Sequence, residues 1–219
     1  MKKKRAVVIT GFEPFGGYAS NPSADIARGL DGRRVAGVAV VGRVLPVDMA
    51  RLDAALAAAL RGLDPVAVIL LGLAAGEPVI RLERVAFNIA DFSMPDNAGS
   101  RHVDEPLEAR GPAARRSRLP LRAIQAGLLA AGIPARLSET AGTYLCNAAM
   151  YRALAKLPAR VPCGFIHLPL PPAEVAARLG RDSGAAPQPS MSVSVQRRAV
   201  EIAIAATLAG EPKSRRSKA

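Results

Sequence analysis

Short apolar runs alternate with amphipathic stretches along most of this chain. Residues 6–12 form a compact apolar run of strand length. Asn21-Pro22 then opens a helix, with Asn21 as the N-cap and Pro22 at the first helical position, where its missing N–H does no harm. The pattern goes on to predict a strand over 35–47, a helix over 49–63 and a buried strand over 65–73. After a glycine-containing turn comes a strand-like run over 79–90, to which antiparallel pairing is open. Then follow a helix over 119–131, a strand over 135–140, a helix over 147–157, a strand over 163–168 and a helix over 193–208. Residues 99–118 and 182–191 lack either period and read as long loops. Strands that alternate with helices imply a mainly parallel sheet covered on both faces.

Composition narrows the picture. The 219 residues suffice for one well-buried α/β domain and are too few for two of ordinary size. A net charge of +12 would suggest a nucleic-acid partner, but residues 1–5 carry +4 and 211–219 carry +3, which leaves +5 for the rest. No aromatic-interleaved basic strand accompanies these ends, so the reading is solvated, disordered basic tails (1–5 and 211–219) around a domain spanning 6–210, with no specific nucleic acid. Two cysteines give no disulfide framework, and with two scattered histidines they make no zinc spacing. No apolar run approaches membrane-spanning length, and the expectation is a cytoplasmic protein with no membrane partner.

The chemistry centres on Cys146. It ends the predicted strand-to-turn segment Ser138-Glu-Thr-Ala-Gly-Thr-Tyr-Leu-Cys146, and an alanine-rich helical pattern follows at once. A thiol at such a junction faces the unpaired N–H groups and the positive end of the helix dipole, which favours the thiolate. The competing reading is a small apolar core residue. His167, at the end of the run Phe165-Ile166-His167 and just before Pro169, Pro171 and Pro172, can reach a neighbouring strand end and serve as base. The competing reading is a hydrogen-bonded histidine at a sheet margin, and the pairing with Cys146 favours the base. His102 sits among turn formers and reads as a solvated loop residue. Strand alternation puts Glu83 on one face with Val79, Val85, Phe87 and Ile89, where a carboxylate needs a partner. An imidazole N–H would serve and would orient the ring, but Arg81 on the same face is a rival partner. The turn Thr10-Gly-Phe-Glu-Pro-Phe-Gly-Gly17 spaces Gly11 and Gly16 like a phosphate loop, yet Gly17-Tyr18 replaces the Lys-Ser/Thr pair, which argues against a nucleotide. Phe12 and Phe15 are either walls of an apolar pocket or ordinary core.

Four blocks in order carry a resemblance: Thr10–Gly17 with Asn21-Pro-Ser23; Glu83-Arg-Val-Ala-Phe-Asn88 with Pro95-Asp-Asn97; Thr140-Ala-Gly-Thr-Tyr-Leu-Cys-Asn147; and Gly164-Phe-Ile-His-Leu-Pro169. Over residues 6–208 the chain resembles the pyroglutamyl peptidase I family of cysteine peptidases. The resemblance implies a single-domain α/β/α sandwich with a mainly parallel, partly mixed, twisted sheet. It implies removal of an N-terminal pyroglutamyl residue from small peptides, without metal or cofactor, by a homo-oligomer (dimer or tetramer). On it Cys146 matches the nucleophile, His167 the general base and acid, and Glu83 the orienting carboxylate. Phe12, Phe15, Asn21, Leu73, Tyr144 and Leu145 fall at the substrate pocket. The chain departs from the family at Gly72-Leu-Ala-Ala-Gly-Glu77, where Gly-Gln-Ala-Gly-Gly-Arg is usual, and at Ser93, where an arginine is common. Those departures keep two alternatives open: a thiol amidase of the same fold acting on another small acyl or cyclic amide, and a catalytically weak binding homologue.

Overall fold

The computed structural model describes residues 3–182 and 184–210. The elements run β1 (Lys4–Phe12), α1 (Pro22–Leu30), β2 (Arg34–Val35), β3 (Val38–Leu45), α2 (Met49–Leu60), β4 (Leu63–Leu73), β5 (Ile80–Phe87), β6 (Ala114–Arg116), α3 (Leu121–Ala130), β7 (Ala135–Thr140), α4 (Leu145–Lys156), β8 (Cys163–Leu168), α5 (Pro172–Arg181) and α6 (Val193–Ala209). One sheet of eight strands takes the order β2-β3-β1-β4-β8-β5-β6, with β7 on the other edge of β5. Pairings of β1 with β3 and β4, of β4 with β8 and of β5 with β7 are parallel, whereas β5 runs antiparallel to β8 and β6. The sheet is therefore mainly parallel and mixed, as expected.

Two apolar layers hold the helices to it. On one face Leu52 and Leu56 of α2 and Ala149, Met150 and Leu154 of α4 pack with Val8, Val68 and Leu70 of the sheet. On the other, Ile26 and Leu30 of α1, Ile124 and Leu128 of α3 and Val200 and Ile204 of α6 cover Ile9, Ile69 and Ile166. A fully buried leucine or isoleucine contributes about 1.5–3 kcal/mol, so these layers dominate the stability of the sandwich. The central strand β4 is apolar on both sides, the mark of a strand with helices above and below. Gly11 allows the start of α1 to approach β1 closely: a β-carbon there would lie 2.1 Å from the Ser23 carbonyl oxygen.

Several elements differ from the sequence expectation for identifiable reasons. The predicted strand over 35–47 is a hairpin, broken where Ala36 and Gly37 take φ of 47° and 79°. Both central residues then have the left-handed backbone that suits a tight hairpin. Helix α5 was hidden because its prolines read as strand terminators; Pro172 instead occupies the first turn, and only Glu174 is buried. Strand β6, Ala-Arg-Arg, lies inside the expected loop over 99–118 and has no apolar signature. Strand β1 starts at Lys4, whose N–H donates to the Gly62 carbonyl at 3.1 Å, so Lys4 and Arg5 belong to the sheet rather than to a tail. Of the remaining tail residues, 1–2 and 211–219 lie outside the described residues.

Candidate active site

At the carboxyl end of β8, His167 stands between Gly72 of β4 and Arg81 of β5 in the strand register. Its Nδ1 lies 2.8 Å from Glu83 Oε1, and Glu83 is fully buried. Cys146 is the second residue of α4. The chain leaves β7 at Thr140, turns at Gly142 with φ of 82°, and enters the helix through an extended Tyr144 that offers no side-chain cap. The first helical bond runs from Ala148 N–H to the Tyr144 carbonyl, so the amides of Leu145, Cys146 and Asn147 precede it and point along the helix start. Asn147 fixes that helix end. Its Oδ1 accepts from Phe87 N–H at 2.8 Å, and its Nδ2 donates to the carbonyls of Phe87 (2.9 Å) and Ile89 (2.8 Å).

With Nδ1 taken by Glu83, the other ring nitrogen is left for sulfur. Burial works against a charged His167, but the Cys146 sulfur, by charge and hydrogen bond, and then Glu83 outweigh it, raising the imidazole pKa to about 9. The ring is therefore an imidazolium across the neutral range, paired on both sides. Cys163 provides the contrast: burial pushes its thiol up to about 12, against a smaller pull from Arg118, and it stays an inert core residue. Burial, then Asp96 and Cys146, push the Tyr144 phenol up to about 12, so it remains a neutral donor to the Pro95 carbonyl at 3.1 Å.

Both partners foreseen for Glu83 are present. Arg81 Nε lies 3.1 Å from the same Oε1 that His167 approaches, as a charge contact and not an aligned hydrogen bond. Glu77 faces away from the cleft: it pairs with Arg81 at 3.2 Å and Arg136 at 2.9 Å. His102 is no part of the site; its Nδ1 is 2.7 Å from Glu105 Oε2, and its ring packs edge-on against Phe92.

Cys146 and His167 open together on a cleft of about 350 Å³. Of the sequence-predicted pocket residues, Phe15, Leu73 and Tyr144 line it, with the Phe15 and Tyr144 rings 5.9 Å apart. Phe12 lies beneath instead, 2% exposed and 6.5 Å from the Phe165 ring, which in turn lies 4.7 Å from His167. Leu145 is buried in the core. Asn21 is also buried: it caps α1 through Ser23 N–H at 3.1 Å and donates to the Glu13 carbonyl at 3.1 Å, bracing the loop that carries Phe15. Sequence reasoning missed Tyr18, Met94 and Thr143 as lining residues. A signal existed in Asn97, whose Nδ2 donates to the Pro14 carbonyl at 2.9 Å and so ties the Pro95-Asp96-Asn97 turn to the Phe15 loop. A roomier hollow of about 640 Å³ between β5 and α3 holds neither cysteine nor histidine, so volume alone would choose the wrong place.

The sequence model of the pyroglutamyl peptidase family matches residues 5–209. A pyrrolidone-carboxylate peptidase of Klebsiella pneumoniae is 45% identical over 204 residues, 92% of each chain. One from Escherichia fergusonii is 44% identical over 206 residues, 93% of each. Among solved structures, a mutant pyrrolidone carboxyl peptidase of Pyrococcus furiosus superposes with a TM-score of 0.90 at 38% identity, covering 94% of this chain and 100% of that one. The enzyme from Thermococcus litoralis gives 0.86 at 39% identity, with 94% of each covered. With a match over nearly its whole length in sequence and in fold, the chain belongs to the pyroglutamyl peptidase family.

Proposed function

We propose that this chain hydrolyses the amide bond after an N-terminal pyroglutamyl residue, with Cys146 as nucleophile, His167 as acid and base and Glu83 as the group that orients the ring. The observation that carries the reading is His167 held at 2.8 Å by a buried Glu83 while it shares a cleft with Cys146. The Cys146 thiolate attacks the pyroglutamyl carbonyl carbon, a C–S bond forms, and the carbonyl electron pair moves to oxygen. The amides at the start of α4 would serve as donors to that oxyanion. The C–N bond then breaks as His167 gives its proton to the departing amine. Water attacks the thioester, His167 takes a proton from it, and the thiolate leaves as pyroglutamate departs. Phe15, Leu73 and Tyr144 would embrace the lactam ring. A pyroglutamyl-amide assay on wild type beside Cys146→Ala tests this: turnover is expected only in the wild type, and equal rates in both would overturn it.

One observation favours a variant of this reading. Leu73 lines the cleft, and its side chain offers no hydrogen bond to a polar lactam. A site without that bond rejects a less polar ring poorly. A thiol amidase for another small acyl or cyclic amide would then show a higher kcat/KM on such amides than on the pyroglutamyl one. The reading also includes a cytoplasmic enzyme that assembles as a dimer or tetramer; a monomer by sedimentation at assay concentration would remove that part. Among the described residues no helix is long and apolar enough to cross a membrane.

A further inference from the structure

Behind the cleft, opposite charges alternate in a row. Cys146 faces His167, His167 faces Glu83, Arg81 touches Glu83, Glu77 touches Arg81, and Arg136 touches Glu77. Arg81 is the most thoroughly held of these groups. Its Nη1 meets Glu77 Oε1 at 3.2 Å, while Nη2 donates to Ser138 Oγ at 2.8 Å and to the Thr140 carbonyl at 3.1 Å. Those bonds lock the guanidinium plane beside the carboxylate. Glu83 has no solvent exposure, and its Oε2 has no hydrogen-bond partner among the described residues.

That arrangement matters at one moment of the proposed reaction. While His167 is an imidazolium, it compensates the buried carboxylate. Once the proton has gone to the departing amine, the ring is neutral, and an uncompensated buried carboxylate would pull a proton back. We propose that Arg81 is a positioning residue for catalysis: its guanidinium holds the Glu83 carboxylate in place and compensates its charge through the step in which His167 gives up its proton. The inference rests on the triad reading above and adds a fourth group to it, one that acts only through Glu83. Glu77 in turn anchors Arg81 and tempers its charge.

Other charges near the ring are few. Strand β4 presents Gly72 and Leu73, neither charged; α4 presents Cys146; the cleft loops bring Asp91 and a neutral Tyr144. Among the described residues no arginine or lysine lines the cleft, and Arg81 is the cation that touches Glu83 from behind it, so removing Arg81 strengthens the hold of Glu83 on the His167 proton.

The test is Arg81→Met beside Glu83→Gln, each read by NMR titration of His167 and by steady-state kinetics on a pyroglutamyl-amide. In Arg81→Met the His167 titration, near about 9 in the native protein, moves upward, while in Glu83→Gln it moves downward. In Arg81→Met, kcat falls by about tenfold or more with KM within about twofold, and Arg81→Lys recovers part of both the rate and the native titration. If Arg81→Met does not fold, Glu77→Gln stands in: with Arg81 less neutralised, the His167 titration moves downward. A His167 titration unmoved in Arg81→Met, or moved the same way as in Glu83→Gln, would reduce Arg81 to a tie between β5 and β7. An inactive wild type would count against the proposed function and leave the titration to decide the role of Arg81.

Discussion

A missing β-carbon sets the position of the sulfur. At Gly72 a methyl group would lie 2.7 Å from Phe165 Cζ and 2.9 Å from Cys146 Sγ, nearer than real side chains come. Phe165 is fully buried and cannot retreat, whereas Cys146 borders the cleft and can. Gly72→Ala is therefore expected to push the sulfur outward, away from the His167 ring that must exchange protons with it. A displacement near 1 Å costs on the order of 10²-fold in rate. The expected outcome is a loss of kcat of that size, measured on a pyroglutamyl-amide, together with a lower melting temperature by calorimetry, since crowding the buried Phe165 ring costs about 1–3 kcal/mol. A variant with native kcat would mean that the sulfur has room that its neighbours do not suggest. Much at this scale was legible beforehand. Cys146 stood out because a thiol at the start of a helix sits in a particular electrostatic setting, and strand parity put Glu83 and Arg81 on the same face. Phe12 was not legible: whether an aromatic at a strand end lines a cleft or fills the core beneath it depends on which way the end turns.

Helix α4 has to present its first turn at the cleft without a capping side chain, so something else must hold it. Asn147 does so with three hydrogen bonds to the backbone at the end of β5 and just beyond it, from a position with no solvent exposure. Asn147→Ala would strand a part-buried N–H and two part-buried carbonyls, each costing at most about 1–3 kcal/mol when left unmade. Partial access of water reduces the sum, and the expected destabilisation is about 2–4 kcal/mol, read from the urea midpoint at unchanged slope. Activity per folded molecule should fall too, since the same bonds aim the amides of the first turn; a loss under about 0.5 kcal/mol would show that α4 is held by packing alone. The sequence predicted this helix to within two residues of its start because a long alanine-rich period is a strong signal. It missed α5, whose buried face amounts to one glutamate, and β6, which has three residues of which the one apolar, Ala114, is exposed. Elements of that kind are stabilised by neighbours rather than by their own pattern, and a single sequence carries no trace of the neighbour. The split of 35–47 into a hairpin belongs here as well, since Ala36 adopts a backbone that alanine seldom prefers.

At the scale of the whole molecule, the raised pKa of His167 makes stability depend on pH. The folded-state value of His167, about 9, lies above its ordinary 6.5, so between these limits the native chain binds a proton that the unfolded chain has released. The stabilisation from this group is fully present below about 6.5 and is lost as pH rises through about 9. At 1.36 kcal/mol per unit, the full contribution is about 3 kcal/mol, and the ring is 6% exposed, so solvent screens little of it. Glu83 alone does not account for the rise, because the sulfur of Cys146 ranks ahead of it among the groups that favour the charged ring. Cys146→Ala should therefore pull the His167 titration down and flatten the alkaline limb of the stability curve. Urea unfolding of wild type and Cys146→Ala from about pH 6 to about pH 9.5 separates this from the titration of surface groups, which both proteins share. Parallel curves across that range would mean that the sulfur does not raise the imidazole pKa in the resting protein. A wild-type curve falling more steeply, with the two converging towards alkaline pH, is the outcome expected from the geometry.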